Sequence, residues 1–239
     1  MHAGPMTSSG TADPHDRQPA LTAGPTPEKA PATLVLIHGR GDSAEGILSL
    51  HEGLGLGGVA AVAPQAAGNT WYPRSFLAPL EANQPYLDSA LRKVESIIGD
   101  LLSRGVLSER IALLGFSQGA CLTTEYVARH PRRYGAVMGL TGGLIGPPRT
   151  PRNYSGTLGG TPVFLGSSDP DPHVPFDRVR ETEMVLAHMG GKVELRRYPG
   201  MPHTVNEDEL NACRGLLRDI ISHTSVTFDG PIPTQERRS

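Results

Sequence analysis

Residues 110–130 read "RIALLGFSQGACLTTEYVARH". A short apolar run, Ile111 to Leu114, leads directly into Gly115-Phe116-Ser117-Gln118-Gly119, and a segment of helical character follows without a linker. A buried strand that ends in a serine, with glycine two residues away on each side, is the pattern of a tight strand-to-helix turn. The backbone there is strained and lies close to adjacent elements, and glycine gives the room. Such a turn exposes the hydroxyl and aims the first amides of the helix at any oxyanion formed beside it. A bare Gly-x-Ser-x-Gly string is weak evidence, because a helix-capping serine in a turn gives the same letters. The strand before it and the helix after it make Ser117 a candidate nucleophile.

Working outward, five more apolar runs read as strands: "ATLVLIHG", "GVAAVAP", "YGAVMGL", "TPVFLG" and "KVELRRYP". Most are continuously apolar rather than alternating, as expected of parallel strands buried on both faces. In the last, Lys192, Glu194 and Arg196 alternate, which suits an edge strand. Between the runs lie helix candidates. In "DSALRKVESIIGDLLSRG", Leu91, Val94, Ile98, Leu101 and Leu102 recur at three- and four-residue steps, with Asp88 as a cap and Gly105 as a stop. "FDRVRETEMVLAHMGG" ends in the same kind of glycine stop, and "NEDELNACRGLLRDIIS" opens on Asn206 and acidic residues that suit the helix dipole. Strands alternating with helices predict a three-layer α/β/α sandwich around a mostly parallel sheet.

Composition bounds the rest. A chain of 239 residues is long enough for one sizeable core and too short for two ordinary domains. A formal net charge of −2 with scattered Lys and Arg gives no footprint for nucleic acid. Apolar runs such as "TLVLI" fall far short of the ~20 residues of a membrane-spanning helix. Two cysteines, Cys121 and Cys213, make no disulfide framework and read as buried thiols of a reducing compartment, which predicts a cytoplasmic protein. Residues 1–30 lack a basic segment followed by an apolar one, against a secretory signal, and their Pro, Gly, Ser and Thr content predicts a disordered leader. The folded domain is then expected over 31–225, with a flexible tail over 226–239.

In an open parallel sheet, functional groups collect at the carboxyl ends of the strands. One strand runs into "FLGSSDPDPHVP", where Asp169 and Asp171 are both candidates for the carboxylate that fixes a histidine tautomer. Another runs into "RRYPGMPHTVNEDEL", placing His203 in a Gly/Pro-rich loop directly before a helix, in the chain order Ser…Asp…His. After the first strand, "HGRGDSAEG" lacks the Gly-Lys-Ser/Thr of a phosphate loop. It offers the Arg40 amide as an oxyanion donor beside that of Gln118, with the Arg40 guanidinium facing solvent or the pocket entrance.

Together "LIHGRGD", "GFSQGA", "DPHVP" and "YPGMPH" resemble the phospholipase/carboxylesterase branch of the α/β-hydrolases, which includes acyl-protein thioesterases and small bacterial carboxylesterases. The resemblance runs from Thr33 to about Ile221 and implies an α/β-hydrolase fold without a lid domain. It implies Ser117 as nucleophile, His203 as general base and acid, and the Arg40 and Gln118 amides as oxyanion hole. In the family the acid lies three residues before the valine of a Val-Pro pair; Val174-Pro175 selects Asp171, while Asp169 also fits a Gly-x-x-Asp spacing from Gly166. "PQAAGNTWYPRSFLAPLEANQP" resembles the loop lining the acyl side, with Trp71 and Tyr72 as a wall, and "TGGLIGPP" would form the wall opposite. The implied activity is hydrolysis of esters or thioesters of small to medium acyl groups through an acyl-enzyme, with no metal or organic cofactor. A small-molecule ester is the implied partner, and homodimers are common in the family. Two rivals share the fold: a lactone or carbon–carbon hydrolase, and a ligand receptor that retains the triad.

Overall fold

Every residue of the strand Thr33–Ile37 is buried, because its two faces pack against different helices. Leu34 and Leu36 join one core with α1 (Ala44–Leu54) and α5 (Glu207–Phe228). Val35 and Ile37 join the other, formed with α2 (Tyr86–Ser103), α3 (Gln118–Arg129) and α4 (Phe176–His188). This is the physical origin of the unbroken apolar runs. The computed structural model describes residues 13–228.

Numbered in chain order, the strands are β1 (Ala20–Ala23), β2 (Thr33–Ile37), β3 (Ala60–Pro64), β4 (Ile111–Phe116), β5 (Ala136–Leu140), β6 (Pro162–Asp169) and β7 (Lys192–Pro199). They form one sheet in the order β1-β3-β2-β4-β5-β6-β7, parallel throughout except for β1 against β3. β7 lies at one edge with exposed and half-buried residues alternating, as its sequence predicts. The excursions that leave the sheet over 65–85 and 141–161 contain nothing longer than a short 3₁₀ turn, so no helical lid is inserted there.

The expectation of a disordered leader over residues 1–30 fails from Asp13 onward; residues 1–12 lie outside the described part. Ala20–Ala23 pairs antiparallel with β3, from Ala20 opposite Pro64 to Ala23 opposite Ala61. His15 is fully buried, and Asp13 pairs with Arg92 of α2 at 2.8 Å. Composition misled because β1 is held by main-chain bonds while its own side chains stay largely exposed. At the other end α5 runs through Phe228, past the expected boundary at 225; the rest of the predicted tail lies outside the described residues.

The two ends of α2 compare differently with the sequence reading. Asp88 does not cap α2 but sits in its first turn, where Gln84 receives the Asp88 amide at 3.2 Å and donates to its carboxylate at 2.9 Å. Gly105 ends α2 as expected, with φ +84° and its amide on the Leu102 carbonyl at 3.0 Å.

Candidate active site

Ser117 sits between β4 and α3 with φ 55° and ψ −118°, a region that costs a non-glycine residue on the order of 1–3 kcal/mol. The surroundings enforce it. A Cβ on Gly119 would stand 2.0 Å from the Ile37 carbonyl oxygen, and one on Gly115 would stand 2.3 Å from the Gly119 oxygen. Both contacts are with main chain that cannot step aside, so the two glycines let α3 drop against β2 and β4. The Ser117 amide donates to the Leu140 carbonyl at 2.9 Å, which ties the turn to the end of β5.

His203 lies in the loop between β7 and α5, and the loop is fixed at both ends. The Gly200 amide donates to the Asp169 carbonyl at 2.9 Å. At the other end Asn206 and Glu209 form a reciprocal capping box, each side chain accepting the other's amide at 2.9 Å. His203 Nε2 stands 2.9 Å from Ser117 Oγ, and Nδ1 stands 2.7 Å from Asp171 Oδ2.

Asp171 has a fully buried side chain that accepts four hydrogen bonds. They come from Ser168 Oγ at 2.6 Å, His203 Nδ1, and the amides of His173 at 2.8 Å and Val174 at 2.9 Å. Burial by itself would raise this carboxyl, but these bonds outweigh it and hold Asp171 below the ordinary carboxylate value. Asp169, the other candidate, does not reach the histidine; it pairs with Arg197 on β7.

Among the described residues, neither the Arg40 amide nor the Gln118 amide donates to a protein acceptor. Arg40 is an exposed residue at the edge of the site, as expected, but its guanidinium is not loose in solvent. It donates to three carbonyls in succession: Tyr72 at 2.9 Å, Pro73 at 3.1 Å and Arg74 at 2.8 Å. Gln118 grips the same loop, receiving the Trp71 amide and donating to the Tyr72 carbonyl, both at 2.9 Å.

The phospholipase/carboxylesterase family pattern matches residues 22–221, most of the chain, from within β1 to within α5. The protein belongs to this family. Among solved structures, a phospholipase/carboxylesterase from Dyadobacter fermentans is 43% identical, with a TM-score of 0.81 over 84% of this chain and 96% of its own. The acyl-protein thioesterase 1 of Debaryomyces hansenii is 24% identical over 234 residues, covering 85% of this chain and 97% of the yeast protein. SOBER1 of Arabidopsis thaliana shares the fold at 20% identity, with a TM-score of 0.67 over 80% of this chain and 99% of its own.

The site opens into a cleft of about 350 Å³. Of the expected acyl wall, Tyr72 lines this cleft. Trp71 does not: it is fully buried behind it, its indole donating to the His38 carbonyl at 2.9 Å. The "TGGLIGPP" segment is not the opposite wall either. Leu144 and Ile145 enter the core, and Gly146 donates to the Phe76 carbonyl at 2.7 Å, so the segment braces the first wall. The opposite side comes from His173 and Val174, next to Asp171, with Cys121 also on the lining. Burial raises the Cys121 thiol to about 12, so it stays protonated.

Sequence reasoning passed over three supports of the site. His15 and His38 are fully buried around Trp71, with ring centroids 5.4 and 4.9 Å from the indole. Each accepts a loop amide: Ala67 onto His15 Nδ1 at 3.0 Å and Ala66 onto His38 Nε2 at 3.1 Å. Burial lowers the pKa of both. His38 lies beside the glycine loop, a position that could have signalled it, whereas His15 stands in a segment whose composition predicts disorder. The third is Ser168, whose hydroxyl on Asp171 gave no signal beyond its place in "GSSDPD". Among the described residues there is no group of three or more His, Cys, Asp or Glu placed to hold a metal ion. No helix there is long and apolar enough to cross a membrane.

Proposed function

We propose that the protein hydrolyses carboxylic esters, including thioesters, of small to medium acyl groups through an acyl-enzyme on Ser117. The observation that carries this reading is the unbroken chain from Ser117 Oγ to His203 to Asp171, at 2.9 and 2.7 Å, beside two amides that are free to donate. Asp171 is ionised and holds the proton on Nδ1, which leaves Nε2 unprotonated toward the serine. His203 takes the Ser117 proton as Oγ attacks the acyl carbon, and the oxyanion forms against the Arg40 and Gln118 amides. His203 then protonates the departing alcohol or thiol. Water, deprotonated by the same nitrogen, releases the acid and restores the serine. The relatives' names, carboxylesterase and acyl-protein thioesterase, agree with this chemistry, and the open cleft suits acyl groups that need no lid.

The test is turnover of 4-nitrophenyl esters from acetate to decanoate by wild type and Ser117→Ala. Wild type should cleave the shorter members, and Ser117→Ala should lose at least about 10³-fold in kcat while remaining folded. A wild type inert toward the whole series, or a mutant as active as wild type, would sink the reading.

A further inference from the structure

We propose that the cleft selects substrates carrying an anionic group, a carboxylate on the uncleaved part of the ester, which Arg74 binds with help from His173. The inference rests on the esterase reading and names its substrate class. Four side chains that can carry positive charge line the cleft: Arg40, Arg74, His173 and His203. Among the described residues no Asp or Glu lines it, and Asp171 is buried behind His203 with its oxygens committed to four donors. In a chain of net charge −2, a cleft lined by two arginines and two histidines is a local concentration of groups of one sign.

The four are not equivalent. Arg40 spends its guanidinium on three carbonyls, and His203 is engaged with Ser117 and Asp171. Arg74 has its main chain tied and its side chain free. Its amide donates to Asn83 Oδ1 at 2.8 Å, and its carbonyl receives the Arg40 guanidinium at 2.8 Å. Asn83, fully buried, also donates to the Ser75 carbonyl at 3.0 Å. An exposed turn held by two side chains fixes the main chain from which the Arg74 side chain departs. That side chain ends in a guanidinium with no ion pair and no hydrogen-bond partner among the described residues. Its planar fork of donors matches a carboxylate in bidentate geometry. His173 is exposed on the other wall, its ring edge-on to His203 at 5.0 Å and its side-chain nitrogens without a protein partner among the described residues. The apolar part of the lining, Tyr72, Phe76 and Val174 among it, is short and leaves room for a chain of a few carbons between the serine and the charged rim.

The experiment compares two matched pairs at low salt. Monoethyl adipate against ethyl hexanoate places the charge on the acyl half; 4-acetoxybenzoate against its methyl ester places it on the alcohol half. In at least one pair the anionic member should have a kcat/KM about tenfold or more above the neutral one. That preference should shrink in 0.5 M salt, collapse toward unity in Arg74→Gln and be partly retained in Arg74→Lys. Equal or better use of the neutral member in both pairs, or a preference that survives Arg74→Gln, overturns the proposal. Calorimetry of the same anionic esters on Ser117→Ala separates this failure from that of the hydrolase reading. Binding that Arg74→Gln abolishes upholds the anion site even if no ester is cleaved. No binding by Ser117→Ala to either anionic ester overturns it even if neutral esters are cleaved.

Discussion

At the scale of single residues, the site depends on which oxygen reaches His203. Asp169 and Asp171 are two positions apart in one loop, and turn chemistry explains either equally well in the sequence. The fold separates them. Asp169 still belongs to β6 and faces Arg197 of the neighbouring strand, whereas Asp171 folds inward onto Ser168 and the His173 and Val174 amides. The consequence is a sharp difference between two conservative changes. Asp171→Asn replaces an acceptor of the Nδ1 proton with a group that also donates, which favours the wrong tautomer; kcat should fall by about 10³–10⁴-fold. Asp169→Asn removes only a half-exposed ion pair and should stay within a few-fold of wild type. Steady-state kinetics of the two variants on one activated ester decides it, and a larger loss in Asp169→Asn would move the acid.

At the scale of elements, the strands were legible because each is apolar on both sides, and Ser117 because Gly115 and Gly119 leave only one turn that fits. β1 was not legible, since four largely exposed residues joined to β3 by main-chain bonds leave no pattern in side chains. With β1 went His15, one of the groups that hold the loop over 65–76 in place. The resemblance of its loop to the family's acyl-side loop made Trp71 a pocket wall, but its size makes it the natural filler between two imidazoles. That packing has a pH dependence whose sign is set by the bonds. His15 and His38 each accept a backbone amide, so a proton on the accepting nitrogen would set donor against donor. Burial keeps both below the ordinary imidazole value of 6.5, and the unfolded chain therefore takes up protons first as pH falls. Their contribution is complete above pH 6.5 and is lost as pH drops below it. Between pH 7 and pH 5 this share of the stability should fall, against an opposite share from Glu209, so it is read from the difference between wild type and variant in urea unfolding. In His15→Gln stability at pH 8 should fall by about 1–3 kcal/mol, while the slope below pH 6.5 becomes shallower. An unchanged slope would mean that His15 plays no part in it.

At the scale of the whole molecule, the parallel order β4-β5-β6-β7 brings the ends of three strands to one face, and the three side chains of the proposed triad leave from β4, β6 and β7. The helices behind that face must then end in a crowded place, and α5 carries the cost at Glu209. This side chain is fully buried against Gly166 of β6, where a Cβ would stand 2.1 Å from its Oε1, and that oxygen has no hydrogen-bond partner among the described residues. Burial raises its pKa to about 7, against the bond it receives from the Asn206 amide. The sign is opposite to that of the histidines. Between pH 4.5 and about 7 the folded protein holds a proton that the unfolded chain releases, so stability declines as pH rises through that window. A displacement of this size corresponds to roughly 3 kcal/mol in full. Glu209→Gln keeps an oxygen for the Asn206 amide and removes the charge. It should therefore leave stability near pH 5 almost unchanged and raise it by up to about 3 kcal/mol at pH 8. Chemical denaturation of wild type and Glu209→Gln at the two pH values measures this directly. Equal destabilisation at both would mean that the carboxylate is satisfied in the native state and that the capping box tolerates no other group.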